Sequence, residues 1–160
     1  MLLALAVLLI PIALLLTFYR VVLNGDAPRT VDPSSAIEEA RSAHAFPVTV
    51  PADLSDEWHV ASTSFRRQAA GATLRLGYVD PDRNGLQLIE SSVPAATLLP
   101  AELSASAKPV DMFRADARAW RRYDARPGEQ ALVSTEPDRT LIVIGDARSR
   151  HLEELASALP

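Results

Sequence analysis

The sequence predicts an α+β fold: an N-terminal transmembrane helix joined to one domain with a mostly antiparallel sheet of about six strands and helices packed on one face. Three observations lead there. Leu2 to Tyr19 is an uncharged run of 18 residues, and its helical length of roughly 27 Å approaches the roughly 30 Å of a bilayer's hydrocarbon core. Short alternating apolar segments follow, separated by tight turn signals such as Asp80-Pro81-Asp82-Arg83-Asn84-Gly85, which make neighbouring strands antiparallel. Helical spacing recurs at both ends of the remaining chain without any strand–helix–strand alternation, which disfavours a parallel doubly wound sheet. The resulting division is residues 1–23 as anchor, 24–31 as linker and 32–160 as the soluble domain.

Within the anchor, Phe18 and Tyr19 sit where interfacial aromatics belong. Arg20 can snorkel, which lets Val21, Val22 and Leu23 extend the buried length. Pro11 lies mid-span, where membrane helices tolerate a proline kink. The competing reading is a cleaved signal peptide. Against it stand a run longer than the usual apolar core, no basic leading region and no A-x-A site in Tyr19-Arg20-Val21-Val22-Leu23-Asn24-Gly25. A short N-terminus before a long domain favours the domain outside the cytoplasm, although Arg20 lies on the wrong side for that orientation.

Asp32-Pro33 reads as N-cap and first helical residue of a helix containing Ile37, Glu38, Glu39 and Ala40. Pro47 and Pro51 bracket a short extended piece at Val48-Thr49-Val50. Trp58 to Arg67 is a strand, with Trp58, Val60 and Ser62 on one side of it. Leu74, Leu76 and Tyr78 alternate along the next strand, and Leu86 to Ser92 returns from the Asp80–Gly85 turn. Pro94 to Leu103 contains a helical turn. Ala117–Tyr123, Gln130–Thr135 and Thr140–Gly145 form a second strand group, turned at Arg126-Pro127-Gly128 and Glu136-Pro137-Asp138. Leu152, Leu155, Ala156 and Leu159 then mark a closing helix, capped by Asp146 or Ser149, with Glu153 and Glu154 outward. Three strands plus a helix, twice over, hint at an internal duplication.

Net charge is −4, and residues 1–26 contribute one base and one acid, so the soluble part carries the same excess. An acidic domain has no general attraction for phosphate backbones, so no nucleic-acid partner is expected. The absence of cysteine excludes disulfides, thiolate catalysis and cysteine-ligated zinc.

Candidate sites are few. Asp80, Asp82 and Asn84, followed by Gly85, match the first half of a calcium loop. The bidentate glutamate should then fall at Ser91, whereas Glu90 is one place early, so the segment is read as a turn. His44, His59 and His151 have no partners at metal-ligand spacing and are read as surface or half-buried residues. No nucleophile elbow, S-x-x-K, phosphate loop or dinucleotide fingerprint exists. Neither catalytic residues nor a cofactor is assigned. Arg114, Arg118, Arg121, Arg122 and Arg126 crowd one segment, as contact for anionic headgroups or an acidic partner would require. Interleaved Asp111, Asp116 and Asp124 dilute that patch, so a solvated strand face beside Trp120 and Tyr123 is preferred.

A resemblance rests on several of these residues together. They are the leading apolar run, Val31-Asp32-Pro33 with Ala36, Ile37 and Ala40, then Ala45-Phe46-Pro47-Val48-x-Val50-Pro51 with Leu54-Ser55-x-x-Trp58. Leu76-Gly77-Tyr78 and the Thr140–Leu159 strand and helix, with Glu153-Glu154-Leu155, continue it. On these the chain resembles the actinobacterial domain-of-unknown-function family 4245 over nearly its whole length. The basic flank that similar families carry ahead of the anchor is missing here. The resemblance implies a membrane-anchored, extracytoplasmic domain and implies no activity. The expectation is a single-pass membrane protein whose non-enzymatic domain binds an envelope protein or a cell-wall component. A lipid or small ligand held between sheet and helices is the alternative.

Overall fold

The computed structural model describes Ile12 and residues 30–115, 118–146, 148 and 150–160. Apart from Ile12, the expected anchor, residues 1–23, and most of the linker lie outside the described residues. Among the described residues no helix is long and apolar enough to cross a membrane.

Over the described residues from 30 onward, three helices and seven strands follow one another as α1 (Ser34–Ala43), β1 (His59–Gln68), β2 (Gly71–Val79), β3 (Gly85–Ser91), α2 (Ala95–Glu102), β4 (Lys108–Ala115), β5 (Arg118–Asp124), β6 (Glu129–Thr135), β7 (Thr140–Asp146) and α3 (His151–Ser157). The strands form one sheet in the order β1-β2-β3-β7-β6-β5-β4. Every neighbouring pair is antiparallel. Two meanders, each running from an outer edge to the centre, therefore meet along the β3–β7 seam.

The Leu-Ile-Val-Ile run of β7 explains why that strand is central. Leu141 and Val143 enter one core cluster, while Ile142 and Ile144 enter the other, on the opposite face. Such a strand is buried only where both faces are covered. The terminal helices α1 and α3 cover the first face through Ile37, Ala40, Leu152 and Leu155, and α2 covers part of the second through Leu98. Helices thus pack on both faces, which corrects the one-face expectation. A two-fold rotation relating antiparallel halves would keep both closing helices on one face. Their opposite placement, and a second half of four strands, remove the simple duplication.

Local departures have physical causes. Asp32 accepts the Ser34 N–H at 2.9 Å, and Pro33 already has helical angles, as an Asp-Pro helix start requires. Asp146 accepts the Arg148 N–H at 2.8 Å and lies too early to cap α3, whose N-cap position is taken by Arg150. A bulge between Val60 and Ser62 shifts the side-chain alternation of β1. Phe65 then joins Val60 against the core, and Ser62 lies opposite Gly77 on the other face.

The seventh strand, β4, is the one the sequence pattern hides. Pro109 and a bulge between Pro109 and Met112 break its alternation.

At the β1–β2 hairpin, Gly71 has φ +145°, and a Cβ there would meet the Val93 amide nitrogen at 2.8 Å. Gly71→Ala should cost about 1–3 kcal/mol, measured as a lower urea midpoint with unchanged slope.

Candidate functional site

Asp80, Asp82 and Asn84 occupy the β2–β3 turn, with Arg83 in the left-handed region at φ 66°. Asp80 is buried, and its carboxylate accepts the Asn84 amide N–H at 2.7 Å and the Asn84 side-chain amide at 3.0 Å. It closes the turn. Asp82 points toward α3 instead, 3.2 Å from His151 Nε2. Among the described residues no group of three or more histidine, aspartate or glutamate side chains is arranged to hold a metal ion.

His151 was expected at or near the surface and is only 5% exposed. Its Nδ1 lies 2.5 Å from Glu154 Oε2, and Trp58 stacks edge-on to it with centroids 5.6 Å apart. Trp58 Nε1 donates to Glu154 Oε1 at 3.2 Å. The Arg150 guanidinium lies 3.6 Å from Asp82, which therefore sits between two cationic groups. Both ring nitrogens face carboxylates, which accept only and so favour the protonated ring, against the Arg150 Nε–H that lies 3.4 Å from Nε2. Burial alone lowers the imidazole's pKa. Contacts with Glu154, Asp80 and Asp82 outweigh it, so the net shift is upward. This is a clamp joining α3, Trp58 and the β2–β3 turn, with neither ring nitrogen free for a substrate proton.

A raised folded-state pKa fixes the sign of the linkage. The clamp's stabilisation is complete below the unfolded value near 6.5 and is lost as pH rises through the folded value. His151→Phe should remove that part of the alkaline slope, seen by comparing melting temperatures of the two proteins at pH 6 and pH 9.

A second ionic cluster lies under the Pro47–Thr49 segment. Glu90 is fully buried on β3, and Arg139, in the β6–β7 turn, is 7% exposed. Arg139 Nη1 donates to Glu90 Oε2 at 2.7 Å and also to the Pro47 carbonyl and Thr49 Oγ1. The Thr49 amide N–H is shared between both Glu90 oxygens at 3.2 Å. Burial pushes the Glu90 carboxyl up to about 7, against the opposing pull of the Thr49 N–H and Arg139. Arg139 Nε continues to Glu136 at 2.8 Å, and Glu136 accepts Arg118 Nε at 2.9 Å. Glu90, Arg139, Glu136 and Arg118 thus form one connected run of ion pairs.

The arginine-rich segment divides between the two faces of the sheet. Arg118 and Arg122 share the α1/α3 side with Trp120, and Arg122 is bound by Asp111 and Glu153. Arg126 reaches Glu129 and the Glu102 carbonyl. Arg121, paired with Val133, and Arg114, paired with Ala119, project from the α2 side. Neither Arg114 nor Arg121 makes an ion pair among the described residues.

The clefts are open and shallow. One of about 460 Å³ is bounded by Arg118, Ser134, Glu136 and Leu159, and Arg118 there is already bonded to Glu136 and to the Leu159 and Pro160 carbonyls. Another of about 570 Å³ lies between Arg41, His44, Phe46 and Asp138. A third of about 320 Å³ is formed by Met112, Ala119, Arg121, Tyr123, Val133 and Thr135, where α2 leaves the sheet uncovered. Beyond Ile12, the exposed large hydrophobic side chains among the described residues are Val110 at 53% and Met112 at 67%, both on β4.

No motif in the sequence marks the Glu90–Arg139 pair or the His151–Glu154 pair. Glu90 nevertheless falls in phase with Leu86 and Leu88 on the core side of its strand, and His151 falls one helical turn from Leu155. Those two phases were the available signals.

No protein of curated function matches the chain. Residues 1–159 match the family described as Protein of unknown function (DUF4245), and the chain belongs to that family.

Proposed function

We propose that this member of the family is a non-enzymatic binding module. Residues 1–23 hold it at the cell membrane in a single pass, and its domain on the extracytoplasmic side binds another envelope protein or a cell-wall component. The observation that carries the reading is the open edge strand β4 with Val110 and Met112 exposed beside an uncovered part of the sheet. Exposed apolar side chains on an unpaired edge invite aggregation unless a partner covers them. The buried ionisable groups support the non-enzymatic part, since Glu90 and Arg139 are engaged with each other and with backbone, and His151 is engaged with Glu154 and the exposed Asp82. Lipid or small-ligand binding between sheet and helices is less favoured. Leu76, Leu88, Trp120 and Leu141 fill that space, each with no exposed surface.

The lack of cysteine makes the test clean. In intact cells, a membrane-impermeant maleimide should label the full chain carrying Glu39→Cys, on the exposed side of α1. Labelling only after lysis would place the domain inside. A photo-crosslinking residue at Met112 should give one adduct of discrete mass that the same residue at Glu39 does not give. Identical patterns at both positions would sink the β4 assignment.

A further inference from the structure

Resting on the binding-module reading, we infer that the partner is a protein offering an extended acidic segment, which adds as an eighth strand along Met112–Ala115 of β4. Strand β4 pairs only with β5, so its outer backbone groups have no partner strand among the described residues. The opposite edge differs: the Val31 N–H donates to the Val60 carbonyl at 2.7 Å, so the chain's own approach partly covers β1. Pro109 lacks an N–H, and the bulge at Val110–Asp111 distorts the first half of β4. The regular stretch Met112-Phe113-Arg114-Ala115 is what remains to pair.

Side chains set the chemistry of the occupant. On the α2 side of the sheet, Met112 lies directly across from Arg121 and two residues before Arg114. An incoming strand places alternate side chains on that same side. Acidic residues there would meet Arg114 and Arg121 and lay their methylenes over Met112, while the apolar residues between them fall on the opposite side beside Phe113 and Ala115. The other side is already neutralised, because Asp111 and Glu153 bind Arg122 and Glu136 binds Arg118.

An anionic membrane fits less well than a peptide. The chain's net charge of −4 opposes broad attraction to anionic lipid. Strand β4 also lies six strand spacings, about 29 Å, across the sheet from β1, where the chain joins the domain. Headgroups would in addition leave the free strand edge unused.

The test uses the full chain in detergent and a fluorescent peptide of alternating glutamate and valine, read by anisotropy. We expect it to bind, and a lysine–valine peptide of equal length not to bind. Arg114→Glu with Arg121→Glu should weaken binding about tenfold or more, with the melting temperature held as evidence of folding. N-methylation of alternate amides along one edge of the peptide preserves side chains and charge, and it should abolish binding if the backbone pairs.

Failure of the glutamate–valine peptide to bind at millimolar concentration, equal binding of the two peptides, or indifference to N-methylation overturns the inference. So does binding to phosphatidylglycerol vesicles, lost in the double variant, in place of peptide binding. If the Met112 adduct forms in cells while the peptide fails, the module reading stands and the acidic strand falls. If neither forms, both fall.

Discussion

Arg139→Met should destabilise the protein by about 3–5 kcal/mol at pH 8. The side chain removed is small in surface terms, but it leaves the Glu90 carboxylate buried without its cation and Pro47 and Thr49 without their shared donor. The cost depends on pH with a definite sign. Glu90 already titrates near 7 in the folded protein, above its ordinary value of 4.5. The folded state therefore holds more protons than the unfolded state across that interval. Its contribution to stability is greatest below about 4.5 and is lost as pH rises through about 7. Loss of Arg139 drives the carboxyl further up, so the variant should be hurt less at pH 5 than at pH 8. Glu90→Leu combined with Arg139→Met should recover much of the loss, because an apolar pair of similar volume needs no desolvation of charge. Urea unfolding followed by tryptophan fluorescence at the two pH values checks all three statements. A loss for Arg139→Met equal at both pH values would mean that Glu90 titrates alike with and without Arg139.

Trp120→Ala is the second large effect, at about 3–5 kcal/mol. Trp120 is fully buried on β5, pairs with Phe113 across to β4 and lies beneath the Arg118 guanidinium, 5.9 Å from its ring centroid. Its indole N–H meets no acceptor among the described residues. Trp120→Phe therefore gives up ring volume but also removes an unsatisfied donor, whose burial is itself costly. It should lose well under half as much as Trp120→Ala. Thermal melts of both variants decide this, and equal losses would show that the indole nitrogen is satisfied in solution.

How far the sequence was legible follows from the range of each interaction. Helices α1 and α3, the paired hairpins and the α+β class rest on local periodicity and turn residues, and those were readable. The Asp80–Gly85 turn was readable for the same reason. Strand β4 was not, because an edge strand with a proline and a bulge loses the two-residue period that identifies a strand. The bulge at Ala61 had the same effect in reverse, carrying Ser62 away from the core side on which simple alternation places it. Arg139 was masked by its place in a Glu-Pro-Asp turn, although its partner Glu90 sat in phase with core leucines. Which carboxylate a buried arginine meets 49 residues away is a product of strand order, and a single sequence does not encode strand order locally. His151 was likewise placed by helical phase, but its partner Asp82 came from a turn 69 residues distant.

The seam at the middle of the sheet also governs how the chain assembles. Strand β7 is the last strand in sequence, yet it pairs with β3 on one side and β6 on the other. Until residues 140–146 are available, the first meander has an open edge at β3 and the second an open edge at β6. Closing the sheet then requires contacts between segments about fifty residues apart, the kind of non-local pairing that slows folding. A nascent or truncated chain ending before Thr140 thus presents two unsatisfied strand edges instead of a smaller folded domain. Assembly of the centre must wait for residues 140–146.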